Sequence, residues 1–266
     1  PHQGHVSRFE NLLGLLKGSG ESVEALQGRV IFRTKDDIVD WDGRLLFPRR
    51  IVHSPIVVDL GANYRDWISA IHEYYSPGSF DGAGFKQRAA GWKCAQALQW
   101  AASSPQAGLG YLVRQALRGR LDVDSGLLEE CVLALRPYRN GPADESFVSL
   151  FSRIQKEVQR QQDDGDLDDI EDEVDELDND EAIGLGGLLA QGLRVLKENG
   201  NAKWQRVFET VIASCQNEKI VFFAQPIETV TAFAQFLEQA TGEKPSLIVG
   251  GQSDAEGHRE ETQDED

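Results

Sequence analysis

The stretch that most restricts the fold lies near the C-terminal end. Lys219 to Ala224 (KIVFFA) is a short, continuously apolar run; Val230, Phe233, Ala234, Leu237 and Ala240 then recur at helical spacing up to Thr241-Gly242; Ser246 to Val249 (SLIV) is apolar again. Unbroken apolar runs of this length read as strands buried on both faces. Strand, helix, strand at this spacing is a βαβ unit, which demands a parallel pairing and a right-handed crossover. Two such strands do not form a domain by themselves, so the pattern predicts a partial parallel sheet that belongs to a larger one. Ser253 to Glu256 (SDAE) fits a capping box, which predicts a further helix there.

The middle of the chain has a different period. Tyr64, Trp67, Ile68, Ile71 and Tyr75 predict a helix with Asn63 as its N-cap. A second, over 85–103, carries Ala89, Trp92, Gln96 and Trp100 and stops at Ser104-Pro105. Further stripes follow at Leu109, Leu112, Val113, Ala116 and Leu117, at Leu127, Leu128, Val132 and Leu135, and at Phe147, Leu150, Phe151, Ile154 and Val158, the last capped by Asp144. Trp204, Val207, Phe208, Val211, Ile212 and Cys215 make one more amphipathic helix. Nearer the start, Val6, Phe9, Leu12, Leu13 and Leu16 form a stripe ended by Gly18-Ser19-Gly20, Asp42-Gly43 predicts a hairpin between IVDW and RLLF, and Ile51 to Leu60 reads as a strand.

Charge is the second constraint. Residues 163–181 hold 13 acids and no base, and residues 254–266 hold 7 acids against Arg259 alone. Without these two segments the formal charge of −17 becomes slightly positive, so the acidity belongs to one internal run and one tail. Charges at this density repel and extend the chain, which predicts a solvated, disordered linker. The alternative is a nucleic-acid mimic that fills a basic cleft in an inactive state. Arg33, Lys35, Arg49 and Arg50 cluster within 18 residues and suit either phosphate binding or surface ion pairing. Cys94, Cys131 and Cys215 are too few and too scattered for a disulfide scaffold and fit a reducing, cytoplasmic setting. No apolar stretch is long enough to span a membrane. With no methionine and a start at Pro1, the sequence reads as a piece of a longer protein.

Several chemistries lack their residues. The chain has no G-x-x-x-x-G-K-[ST] phosphate loop, no Asp-Glu-Ala-His string and no G-x-S-x-G. Gly-Leu-Gly-Gly at 184–187 lacks the Lys-Ser/Thr of a phosphate cradle and reads as a flexible joint. His2 and His5 have metal-like spacing without a carboxylate or thiol cluster, so no metal site is expected.

PHQG at 1–4, followed by Phe9 and Leu12-Leu13-x-Leu15-Leu16, resembles motif III of the Swi/Snf-type ATPases of helicase superfamily 2 and the helix after it. Arg33 to Asp37 and Phe47-Pro48-Arg49-Arg50 are similar to later strings of that family, and SSPQA at 103–107 to the interlobe helices of its bacterial members, the RNA-polymerase-associated and phage-defence types. KIVFFAQPIETV (219–230) and IVGGQSDAE (248–256) resemble motif IV and the next strand of the second RecA-like lobe; the family places Arg directly after that Glu, whereas Gly257-His258 precede Arg259 here. The resemblance covers nearly the whole chain in family order. It implies an α/β protein in which a mainly helical insertion lies between remnants of two RecA-like lobes: 1–60 the end of the first, 61–162 the insertion, 163–183 the acidic linker, 184–266 the start of the second.

It also implies function: the central portion of an ATP-dependent translocase or helicase on double-stranded DNA, with ATP and Mg bound by the complete protein and not by this portion. Pro1, His2 and Gly4 would form a rigid coupling turn. Gln225 and Thr229 would contact the DNA backbone, Gly250 and Gly251 would let it approach closely, and Arg259, Arg33 and Lys35 would add charge. The residues alone leave plain capping and turn roles open for Gln225, Thr229 and the glycines. The competing class is a non-catalytic regulatory module that docks protein partners through its acidic segment.

Overall fold

The computed structural model describes residues 6–18, 20–22, 26, 30, 35–47, 51–76, 85–119, 123–139, 141–163, 184–215 and 218–249. The chain divides into two compact units, Pro1–Pro55 and Ile56–Asp266. Among the described residues it is mainly helical, with α1 (Val6–Gly14), α2 (Ala62–Tyr75), α3 (Phe85–Ser103), α4 (Pro105–Arg118), α5 (Ser125–Leu135), α6 (Phe147–Asp163), α7 (Leu185–Asn199), α8 (Ala202–Thr210) and α9 (Ile227–Thr241).

In the first unit, α1 ends at Gly14, earlier than its apolar stripe suggests, and Leu12, Leu15 and Leu16 are exposed. The expected hairpin is reduced to a tight reversal. Asp40 Oδ1 accepts from the amides of Asp42 and Arg44, Gly43 takes φ +81°, and one antiparallel bridge, Val39 to Leu45, closes the loop. Residues 51–60, expected as a strand, have no regular structure.

The second unit is built on α4, which is buried from Pro105 to Ala116. Its start is set locally: Pro105 occupies the first turn, and Ser104 Oγ accepts from the Ala107 amide at 3.1 Å. Helices α3, α5, α6, α7 and α9 pack against it, and α2 packs on α3 and α7. Trp67 on α2 is the centre of this bundle, fully buried, with its indole N–H donating to the Leu188 carbonyl of α7 at 2.9 Å. The ring needs glycine on two neighbours. A Cβ on Gly108 of α4 would stand 2.7 Å from Trp67 Cη2, and one on Gly192 of α7 would stand 2.6 Å from Cζ2. Tyr64 adds a bond from its hydroxyl to the Ala101 carbonyl at 2.6 Å, and burial pushes its phenol far above the ordinary range.

Several local expectations shift. The N-cap of α2 is Gly61, and Asn63 instead donates to Glu198 at 2.6 Å. At the start of α6 it is Ser146, not Asp144, that accepts from the Ser149 amide. On α3 the buried face is Cys94, Ala97 and Ala101 while Trp92 is exposed, because small side chains are what let α3 pack closely on α2 and α4. Gly184 is the N-cap of α7 rather than part of a joint, and Leu185, Leu188 and Leu189 are buried. Helix α7 packs on α2, α4 and α5, so the bundle runs past the acidic segment to Asn199, beyond the expected border at 184.

The expected partial parallel sheet does not form among the described residues. Residues 219–224 and 244–249 flank α9 without regular structure, and neither takes part in a β-bridge. Phe223 is 94 % and Ile248 98 % exposed. Strands form only when a neighbour supplies the other half of the ladder, and no described residue does so here. The two RecA-like lobes therefore gain no support from this architecture. The helix expected from Ser253 lies outside the described residues.

Candidate functional site

Gln225 lies just before α9, and Glu228 and Thr229 lie in its first turn. Pro226 caps the helix without a side-chain bond, and Gly242 ends it with φ +76°, its amide donating to the Glu238 carbonyl at 2.9 Å. One face of α9 packs on α8 through Trp204, Phe233 and Phe236, with the Trp204 and Phe233 ring centroids 4.9 Å apart. Phe222, from the extended run, meets the Phe233 ring edge-on at 4.8 Å.

The opposite face turns polar groups into the bundle. Glu228, in the first turn of α9, is completely buried. Its Oε1 accepts from Arg114 Nη1 on α4 at 2.7 Å and from Arg139 Nη1 at 2.6 Å. Arg139 follows the 3-10 turn Arg136–Tyr138 and also donates to Glu157 on α6. The Arg114 guanidinium lies 4.5 Å over the Trp100 ring of α3. Room for the carboxylate comes from Gly110, where a Cβ would stand 2.8 Å from Glu228 Oε1. Burial pushes the Glu228 carboxyl up, but the charges of Arg114 and Arg139 and their hydrogen bonds outweigh it, so the group is held below the ordinary carboxylate range. Burial likewise disfavours the Arg139 cation, and Glu228 and Glu157 together reverse that.

Beside it, the Thr229 hydroxyl lies 2.9 Å from both Ser103 Oγ and Ser104 Oγ, at the junction of α3 and α4. Gln225 is exposed, and its Oε1 accepts from Gln99 Nε2 at 3.0 Å. Farther along α9, Gln235 Nε2 donates to the Pro137 carbonyl at 2.6 Å. Lys203, before Trp204, donates to the Ala102 and Ser103 carbonyls, and burial lowers its pKa.

Of the sequence-derived site residues, then, Gln225 stays exposed and bonds to Gln99 of α3, while Thr229 is turned into the bundle. Thr229 is buried, with its hydroxyl within hydrogen-bond distance of both serine hydroxyls. Lys35 is exposed in the first unit, its Nζ 5.5 Å from the centre of the Phe47 ring. Pro1, His2, Gly4, Arg33, Gly250, Gly251 and Arg259 lie outside the described residues. Sequence reasoning placed Glu228 in this turn without a partner and missed Arg114 and Arg139. Arg114 lies between Val113 and Gln115 in a helix that also carries Gln106 and Arg118, so neither it nor Arg139 stood out in the sequence.

The arrangement is an ion-pair network in which both guanidiniums meet Glu228 Oε1, while Glu228 Oε2, Arg114 Nη2 and Arg139 Nε are buried without a hydrogen-bond partner among the described residues. The Cys131 thiol is buried, and burial pushes it up to about 12, so it is held as an unreactive thiol. Among the described residues no group of three His, Cys, Asp or Glu converges to hold a metal, and no helix is long and apolar enough to cross a membrane. Comparison of the chain with protein-family models, with curated proteins and with solved structures finds no match.

Proposed function

We propose that this chain is the central portion of an ATP-dependent DNA translocase, comprising a helical insertion and the opening strand–helix–strand of a second RecA-like lobe. What supports it is the sequence order of an apolar run, α9 and a second apolar run, although the described residues place neither run in a sheet. The two apolar runs that flank α9 are unpaired and carry nearly fully exposed Phe223 and Ile248, while α9 between them is fully formed. Side chains of that kind, at that spacing around a helix, suit strands of a parallel layer whose neighbours come from elsewhere. Nucleotide and magnesium do not fit the residues present, because the chain has no phosphate loop; they would be bound by other parts of the protein. The contribution of this portion is to carry double-stranded DNA contacts.

A second reading, a non-catalytic interaction module, is favoured by the burial of Thr229. Titrating the chain against labelled duplex DNA by fluorescence anisotropy separates the two. The translocase reading expects binding whose log affinity falls with log salt by about 0.9 per phosphate engaged. It also expects tighter binding when the acids of 163–181 are replaced by Asn and Gln. No binding at low salt by either form favours the interaction module.

A further inference from the structure

The docking of α9 has a property that packing alone does not supply. An apolar helix face can slide or rock on its neighbour at small cost, because dispersion contacts are individually weak and non-directional. A carboxylate shared by two guanidiniums cannot. Glu228 Oε1 is held by Arg114 from α4 and by Arg139 from the 3-10 turn, and Arg139 reaches on to Glu157 of α6. Withdrawing the carboxylate from its pocket beside Gly110 leaves two nearly buried cations without their counter-charge, so release is strongly unfavourable. Thr229 fixes the next residue to Ser103 and Ser104, and Gln235 fixes the helix about two turns on to the Pro137 carbonyl. The polar contacts thus fall on three separate elements of the bundle.

A buried ion pair of this kind adds little net stability over an apolar replacement of equal volume, and its best-attested use is to fix register. We infer that Glu228 is a register latch, closing on Arg114 and Arg139 together so that α9 and the helical bundle behave as one mechanical body. Its consequence for a motor rests on the translocase reading: the helical insertion travels with the strand–helix–strand unit and transmits its movement.

Native-state hydrogen exchange of the 266-residue chain in low denaturant tests the latch directly. In the unaltered chain the amides of α9 and α4 should share one opening, with the same exchange rate limit and the same denaturant dependence. In Glu228→Gln the α9 amides should exchange about tenfold or more faster relative to those of α4, the loss expected when a charged hydrogen-bond partner is removed. The inference is overturned if α9 opens by itself in the unaltered chain, or if Glu228→Gln speeds α9 and α4 equally. Should Glu228→Gln fail to fold, Glu228→Asp, which keeps the charge but shortens its reach to Arg114 and Arg139, carries the same comparison. Neither arm uses DNA or nucleotide, so failure here leaves the translocase reading standing, and absence of DNA binding leaves the latch standing.

Discussion

The helical bundle of α2 to α7 and the stretch 219–249 are both rich in apolar side chains, yet they end in opposite states. In the bundle nearly every large apolar residue finds a neighbour: Trp67, Ile71, Leu109, Leu112, Leu188 and Leu189 are all buried. In the C-terminal stretch α9 does so and Phe222 meets it, but Phe223 and Ile248 face water on either side of it. Helices close their own hydrogen bonds and need a partner only for one face. Strands need a partner for every backbone group along an edge, so the same apolar content leaves them unfinished when the neighbour is not there.

The sharpest way to break this comparison is at Trp67. Trp67→Ala removes the ring between α2, α4 and α7 and its bond to Leu188, and should destabilise the bundle by about 4 kcal/mol. Thermal or urea unfolding followed by far-ultraviolet circular dichroism reads this. A loss below about 1 kcal/mol would show that the bundle is not organised around that ring.

A smaller effect is expected from acid. The folded-state pKa of Glu228 is depressed, so the unfolded chain takes up this proton first as pH falls. Its contribution is therefore complete above the ordinary glutamate value of about 4.3 and is lost as pH drops through the lower folded value. Arg114, Arg139 and Glu157 are the charged groups in contact with the site. Melting temperature measured from pH 7 down to pH 3 should fall more gently on the acid side in Glu228→Gln than in the unaltered chain. Parallel profiles would remove Glu228 from the account.

The smallest effect sharpens the comparison from the other side. Phe223→Ser and Ile248→Ser should each change stability by no more than about 0.5 kcal/mol in the isolated chain, as for other exposed positions. Light scattering of the same variants should show less self-association, because an exposed apolar run is an adhesive edge. A loss of about 2 kcal/mol at either position would mean that the runs are already covered.

Signals confined to a few adjacent residues were the most legible. Ser104-Pro105 marks the break between α3 and α4, Gly242 marks the end of α9, and the stripes at 109–117, 127–135 and 147–158 each became a helix. Asn63 and Asp144 failed as caps because a neighbouring residue, Gly61 or Ser146, held the helix start. The exposed Trp92 shows where apolar periodicity misleads, since α3 needed small residues rather than large ones toward its neighbours. Of the candidate site, Gln225, Glu228 and Thr229 were legible as the approach to a helix and its first turn, but which way that turn faces was not.

The order of amino acids determined where the helices lie, where several of them stop, and that the acid resides in one run and one tail, because capping, periodicity and charge are short-range along the chain. Only the tertiary structure decided that α7 joins the bundle, that Gly108 and Gly192 exist to admit Trp67, and that Glu228 meets Arg114 and Arg139 from 114 and 89 residues away. Such pairings depend on where several helices come to rest together, and no local preference encodes a distance across the fold.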